Sequence, residues 1–185
     1  MDYRIKLVAA PTQEPVTLQE AKDWARISDD SLDGIITGLI KSGREEAEKY
    51  IQWVLMEQIW ELSFDTLPSM PIEVPRIPLQ VLDAVKIIDT NGAELAMDIN
   101  DFVVSSRSGK VYFRKDKTWP AVTLQKYDSV IFTYKAGYTA PQKIPEAIKS
   151  AIKLYVSHRI DNPESTDVPT AFYNLLNSCM YVPPS

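Results

Sequence analysis

No proline occurs from residue 16 to residue 67, and that gap constrains the fold more than any other feature of the chain. Proline removes a backbone donor and clashes with the preceding helical turn, so a helix interior excludes it. Pro68, Pro71, Pro75, Pro78 and Pro120 crowd the middle, and Pro11, Pro15, Pro141, Pro145, Pro163 and Pro169 sit where helices should begin or stop. Their placement predicts a helical N-terminal third, a strand-and-turn middle and a helical C-terminal end.

The first helix should start at Thr17, whose hydroxyl can cap free amides while Glu20, three residues on, reaches back in a capping box. Leu18, Ala21 and Ala25 form its apolar stripe with Trp24 alongside, and Ser28-Asp29-Asp30-Ser31 should end it near Ile27. The second helix carries the clearest periodicity. Leu32, Ile35, Ile36, Leu39, Ile40, Gly43, Ala47, Tyr50, Ile51 and Val54 recur at helical spacing over about six turns, with Lys41, Arg44, Glu45, Glu48 and Lys49 opposite. Gly34, Gly38 and Gly43 each cost such a helix about 1 kcal/mol relative to Ala. They either admit a close neighbouring helix or are simply tolerated.

The period then changes to two. Trp60, Leu62 and Phe64 share one face of a strand. Ile72-Glu73-Val74 reads as a short strand, and residues 81–97 read as a hairpin turning at Asn91-Gly92. Val103-Val104, Lys110 to Arg114 and Ser129 to Tyr134 complete a small antiparallel sheet with one wet face. Pro145 should open a third helix that stops near Asp161-Asn162-Pro163, and a short helix after Pro169 should align Phe172, Leu175, Leu176 and Cys179. The expected class is α+β: a mainly helical core (helices one, two and three) with an inserted small antiparallel sheet. The whole chain, 1–185, forms one domain, helical over 16–55 and 144–180 and β-rich over 57–138.

Composition narrows the chemistry. The 185 residues carry a formal charge of −5, which argues against a protein whose main task is gripping nucleic acid. One Cys and one His leave no disulfide framework and no zinc site of the usual kind. No segment approaches the ~20 apolar residues that span a bilayer, and the first six residues show no signal-peptide pattern, so the chain reads as soluble and made in a cytoplasm. Nothing matches a Gly-rich phosphate loop. His158 sits among apolar neighbours on a helix and reads as a satisfied structural residue, and Cys179 as a buried, inert thiol. Asp29, Asp30 and Asp33 lack the spacing of a calcium loop and suit capping at a helix start. Neither a catalytic set, a metal nor a cofactor is expected.

Residues 107–117 hold Arg107, Lys110, Arg114, Lys115 and Lys117 against Asp116, a local charge of +4. This segment faces nucleic acid or an acidic partner, or else it is a solvated strand face with Val111 and Phe113 turned inward.

One ordered set of segments resembles a known family. It runs Pro15-Val16-Thr17-Leu18-Gln19-Glu20-Ala21-Lys22, an Asp-rich turn, Leu39 to Tyr50, Gln58 to Leu62, Arg76-Ile77-Pro78-Leu79, Ala136-Gly137-Tyr138 and Ile144 to Ile148. In order and spacing it is similar to the head–tail connector (adaptor) proteins of tailed bacteriophages. The resemblance implies a structural virion protein without catalytic activity. It implies a ring of about twelve copies under the portal protein, made in the bacterial host cytoplasm and placed at the head–tail junction. Such a ring extends the DNA channel without binding DNA specifically and docks a tail or stopper protein, with no membrane involved. Arg44, Glu45 and Glu48 on helix two are candidates for one neighbour contact, and Arg107, Lys110 and Arg114 for the other or for the channel wall. Two rival readings are a small enzyme built from scattered carboxylates and tyrosines and a binding module with an exposed sheet.

Overall fold

The computed structural model describes residues 2–106 and 108–180. In chain order the elements are β1 (Arg4–Ala9), α1 (Leu18–Ala25), α2 (Asp33–Ile51), β2 (Gln58–Phe64), β3 (Ile72–Glu73), β4 (Leu79–Ile88), β5 (Glu94–Ala96), β6 (Phe102–Ser105), β7 (Lys110–Phe113), β8 (Val130–Ala136), α3 (Glu146–Asp161) and α4 (Thr170–Met180). They divide into two compact units. One joins the first ten residues to Glu57–Gly137, and the other joins Pro11–Met56 to the chain from Tyr138 onward.

The α+β class and the antiparallel pairing are as expected, but the core is not mainly helical. Among the described residues, helix of all kinds accounts for 34% and strand for 26%. The reason is that each of the two units buries apolar residues of its own, the strands of one contributing as much as the helices of the other.

In the β unit, one five-stranded sheet runs β1-β2-β8-β4-β5 and a three-stranded sheet runs β3-β7-β6. Leu62, Phe132 and Val85 lie in one cross-strand row of the larger sheet, Phe64, Val130 and Ile87 in the next, and all six are buried. The alternate residues Glu61, Ser63, Thr133 and Lys86 are half-buried, as a strand period of two requires. Phe132 meets Phe102 and Trp119 edge-on at centroid distances of 6.2 and 6.1 Å, which packs the smaller sheet against the larger. The Trp119 indole donates to the Pro68 carbonyl at 2.8 Å and so ties down the proline-rich segment. Gly109 adopts φ +63°, and a Cβ there would stand 2.6 Å from the Ile77 side chain, so this turn accepts only glycine. Strand β1 was not anticipated. It is an edge strand with two half-buried and four exposed residues, and its partner β2 lies some fifty residues away.

In the helical unit, α2 and α3 pack together with α1 and α4 against them. The capping box forms as expected: the Glu20 amide donates to Thr17 Oγ1 at 3.2 Å, and the Thr17 amide to Glu20 Oε2 at 2.7 Å. These bonds hold the Glu20 carboxyl below its usual pKa. The α2 stripe is narrower than its periodicity predicts. Ile36, Ile40, Gly43, Ala47 and Ile51 are buried, Leu39 is half-buried, and Ile35 and Tyr50 are exposed. The helix also stops three residues early. Gln52 takes a left-handed conformation at φ 61° and its side chain donates to the Lys49 carbonyl, the usual work of a C-terminal glycine. Trp53, Val54, Leu55 and Met56 then run on as buried, non-helical chain.

Of the three α2 glycines, one admits a close neighbour. A Cβ at Gly43 would meet the Tyr155 ring at 3.0 Å and Ile152 at 3.4 Å on α3, whereas Gly34 and Gly38 face open space. Gly38→Ala should therefore stabilise the protein by up to about 1 kcal/mol, while Gly43→Leu should destabilise it by about 1–3 kcal/mol. Urea unfolding of the two variants checks both signs. Ile36→Asp, at a fully buried position, should cost upward of about 3 kcal/mol, and Leu39→Asp markedly less.

Candidate assembly surfaces

The charged residues of the chain are largely committed to local structure. Lys22, itself buried, donates to Asp30 at 2.6 Å and Asp33 at 2.8 Å, while Asp29 accepts from the amide and hydroxyl of Ser31. The Asp-rich turn is thus held by internal bonds, with Lys22 offsetting part of its negative charge. Among the described residues no three His, Cys, Asp or Glu side chains gather as a metal site, and no helix is long and apolar enough to cross a membrane. Cys179 is buried. His158 departs from its expected satisfied state. Its Nδ1 lies 3.4 Å from the Asn162 amide, and its buried Nε2 has no partner among the described residues.

Arg44 does not lie on an open polar face. It is 3% exposed, and its guanidinium donates to Glu14 at 2.7 Å and Glu48 at 2.8 Å, with Glu45 at 3.5 Å. Glu48 also accepts the Leu55 amide at 2.9 Å. A charge taken out of water is held only by such partners, so Arg44 and Glu48 tie the middle of α2 to the segment before α1 and to the chain just after α2. Glu45, with its side chain 55% exposed, is the member of the three that solvent reaches most.

The basic segment is similarly sorted. Arg107 lies outside the described residues. Val111 is buried and Phe113 half-buried, whereas Tyr112 and Arg114 are exposed and Lys110 is half-buried. Lys110 pairs with Glu73 at 2.8 Å and Lys117 with Asp101 at 2.5 Å, and Arg114 donates through Nε to the Asn100 carbonyl at 2.7 Å. Lys115 is exposed and has no ion-pair partner among the described residues.

One further feature escaped the sequence reading. On the outer side of α2 and α4, Glu46, Lys49, Tyr50 and Tyr173 line an open hollow of ≈ 490 Å³. The two tyrosine rings lie 4.8 Å apart at 50°. Tyr50 donates to Asn177 at 2.9 Å and Tyr173 to Glu46 at 3.4 Å, and desolvation together with Glu46 raises the Tyr173 phenol pKa. The spacing Glu46, Tyr50 marks one side of α2, but its pairing with Tyr173 joins residues 127 apart and has no local signal.

The family described as "Phage gp6-like head-tail connector protein" matches residues 15–109, just over half the chain. The chain belongs to this family. As a head–tail connector its role is structural, which agrees with the resemblance read from its ordered segments. No curated protein matches it. Among solved structures, a chain of the "Neck of empty GTA particle computed with C6 symmetry", a gene transfer agent, aligns with TM-score 0.78 at 13% identity over 95% of this chain and 94% of that one. A chain of the "Neck of native GTA particle computed with C12 symmetry" aligns with TM-score 0.75 at 13% identity, over 95% and 93%. One from the "Virion of native gene transfer agent (GTA) particle" gives 0.76 at 12%, over 94% and 93%. At this identity the likeness is one of fold.

The Arg44 cluster generates a direct check. Arg44→Ala should destabilise the connector by about 3–5 kcal/mol, because Glu14 and Glu48 lose their partner while partly buried. Glu45→Ala should change stability by less than about 0.5 kcal/mol. Denaturant melts of both variants measure the contrast.

Proposed function

We propose that this connector acts as a ring of about a dozen copies at the head–tail junction of a phage-like particle, with residues 1–185 working together as one connector domain. The ring lies beneath the portal, continues the channel through which DNA passes and offers its far side to a tail or stopper protein. The observation that carries this reading is the family match over residues 15–109. The fold likeness to chains from necks of C6 and C12 symmetry supports a ring. A formal charge of −5 suits a passage in which DNA slides without sticking. Assembly takes place in the bacterial cytoplasm, and no reaction is catalysed.

A cyclic ring presents two unlike patches on each copy, one to each neighbour. The outer side of α2 around Glu45, beside the Arg44–Glu48 pin, is proposed as one patch, and the basic segment with Arg107, Lys110 and Arg114 as the other. Contacts between exposed charges weaken with salt, since screening sets in beyond ~10 Å at 0.1 M. Mixing the connector with purified portal complexes and imaging the product by electron microscopy tests the reading. Rings capping the portals at low salt are expected, and portals that stay bare at every salt concentration contradict it. Reversing Arg107, Lys110 and Arg114 to Glu should prevent ring attachment, with only a modest fall in melting temperature from the lost Lys110–Glu73 and Arg114–Asn100 contacts. Complete rings built by that triple variant would remove the basic segment from the contact.

A further inference from the structure

We propose that Arg76 is the fixed anchor of the subunit–subunit contact, a guanidinium seated on Trp60 that takes up a carboxylate of the neighbouring copy. The proposal rests on the ring reading above and names the group at the centre of its basic patch.

Arg76 stands in the Pro75-Arg76-Ile77-Pro78 link between β3 and β4, and its guanidinium lies over the Trp60 ring of β2, 5.0 Å from the centroid. Trp60 is the cross-strand partner of Tyr134 on β8. Tyr134 is fully buried and its hydroxyl has no hydrogen-bond partner; desolvation raises its pKa against the pull of the Arg76 charge. The Trp60 indole nitrogen and Arg76 Nε are likewise buried without partners among the described residues. Native proteins leave few such atoms, and here three gather at one cation.

Arg76 is half-buried and makes no ion pair or hydrogen bond among the described residues. A charge drawn partly out of water without a counter-charge is costly, and stacking on an indole face offsets only part of that cost. Stacking also leaves the in-plane donors of the guanidinium free, and of its three nitrogens only Nε is shut in. The open end of the fork matches a carboxylate, which it can hold by two parallel bonds. Arg26, Lys41 and Lys115 are unpaired too, but they are exposed and keep their water. Among the described residues one other cation, Arg159, has a nitrogen buried in this way, and it lies in the last turn of α3, where the helix carbonyls supply negative potential.

Position and charge favour a second copy as the partner. The Val74 amide donates to the Gly109 carbonyl at 2.8 Å and Ile77 packs on Gly109, so Arg76 borders the basic segment already proposed to meet the next copy. Within that segment Lys110 and Arg114 have partners in their own chain, which leaves Arg76 as the cation lacking one. Each copy carries 25 acidic against 20 basic residues, and Glu57 and Asp83 are exposed without an ion-pair partner among the described residues. The same acidic surplus disfavours DNA as the occupant. Arginine, tryptophan and tyrosine are also the residues that carry most of the binding energy at protein interfaces.

Two measurements on portal-bound connector test the anchor. Arg76→Ala should cut the number of copies bound per portal at physiological salt on the order of tenfold. Its melting temperature should stay level or rise, because no partner in its own chain is lost; a merely structural arginine would lower the melting temperature and leave loading intact. Arg76→Lys keeps the charge and should load better than Arg76→Ala. Rings built from equal parts of isotope-labelled and unlabelled Arg76→Lys chains are then treated with a carbodiimide, which condenses an amine with a carboxylate in contact with it. Mass spectrometry should find position 76 joined to an Asp or Glu in mixed-label pairs, the mark of two copies. Normal loading by Arg76→Ala, or position 76 joined only within its own chain, to the portal or to nothing, overturns the anchor and leaves the ring reading standing. Wild-type connector that leaves portals bare removes the ring reading, and the anchor falls with it.

Discussion

The helical unit depends on one buried guanidinium. Arg44 projects from the middle of α2 into a shell of carboxylates drawn from residue 14, before α1, and from Glu48, one turn along its own helix. Glu48 in turn holds the Leu55 amide, in the non-helical chain beyond the helix. Three stretches that belong to no common element are thereby fixed to one charged group. Burying an arginine carries a large desolvation cost, offset here by ion pairs that fix the segment before α1 and the chain after α2 against the middle of α2. The apolar stripe can then be narrow, because Gly43 lets α3 approach closely and the Arg44 cluster adds polar ties to residues 14 and 55.

The β unit rests on a different constraint, pairing between strands far apart in sequence. β8 lies at the centre of its sheet, between β2 and β4, and β1 closes one edge from the N-terminus. Register follows from which residues are apolar: a slip of one would move Leu62, Phe132 and Val85 to the wet face together.

The legible parts of the fold are those encoded by neighbours in sequence. The Thr17–Glu20 box, the turn at Gly92 and the alternation in Gln58–Phe64 each carry their own signal within a few residues. Pro145 marks the start of α3, which begins one residue later at Glu146. The illegible parts are set by distant partners. β1 has few buried side chains to show a period, since edge strands face solvent on most sides. Arg44 looked like surface charge because Glu14, thirty residues away, is invisible to a helical pattern. The helix end at Gln52 was hidden because a glutamine does what a glycine usually does there. For the surfaces, sequence placed the basic charges but left open which were already neutralised by Glu73 and Asp101.

The family gives this chain a structural role as a head–tail connector, and on the proposed reading that role is carried by its surface. If the proposed ring on a portal forms, the physical question is how many identical copies one portal holds, since a closed ring permits only a fixed number. Native mass spectrometry of the portal–connector complex measures that number directly. The account predicts a single dominant species with about a dozen connector copies and no stable intermediates, as closure of a cyclic assembly demands. A broad distribution of one to a few bound copies, unchanged by added connector, would contradict it.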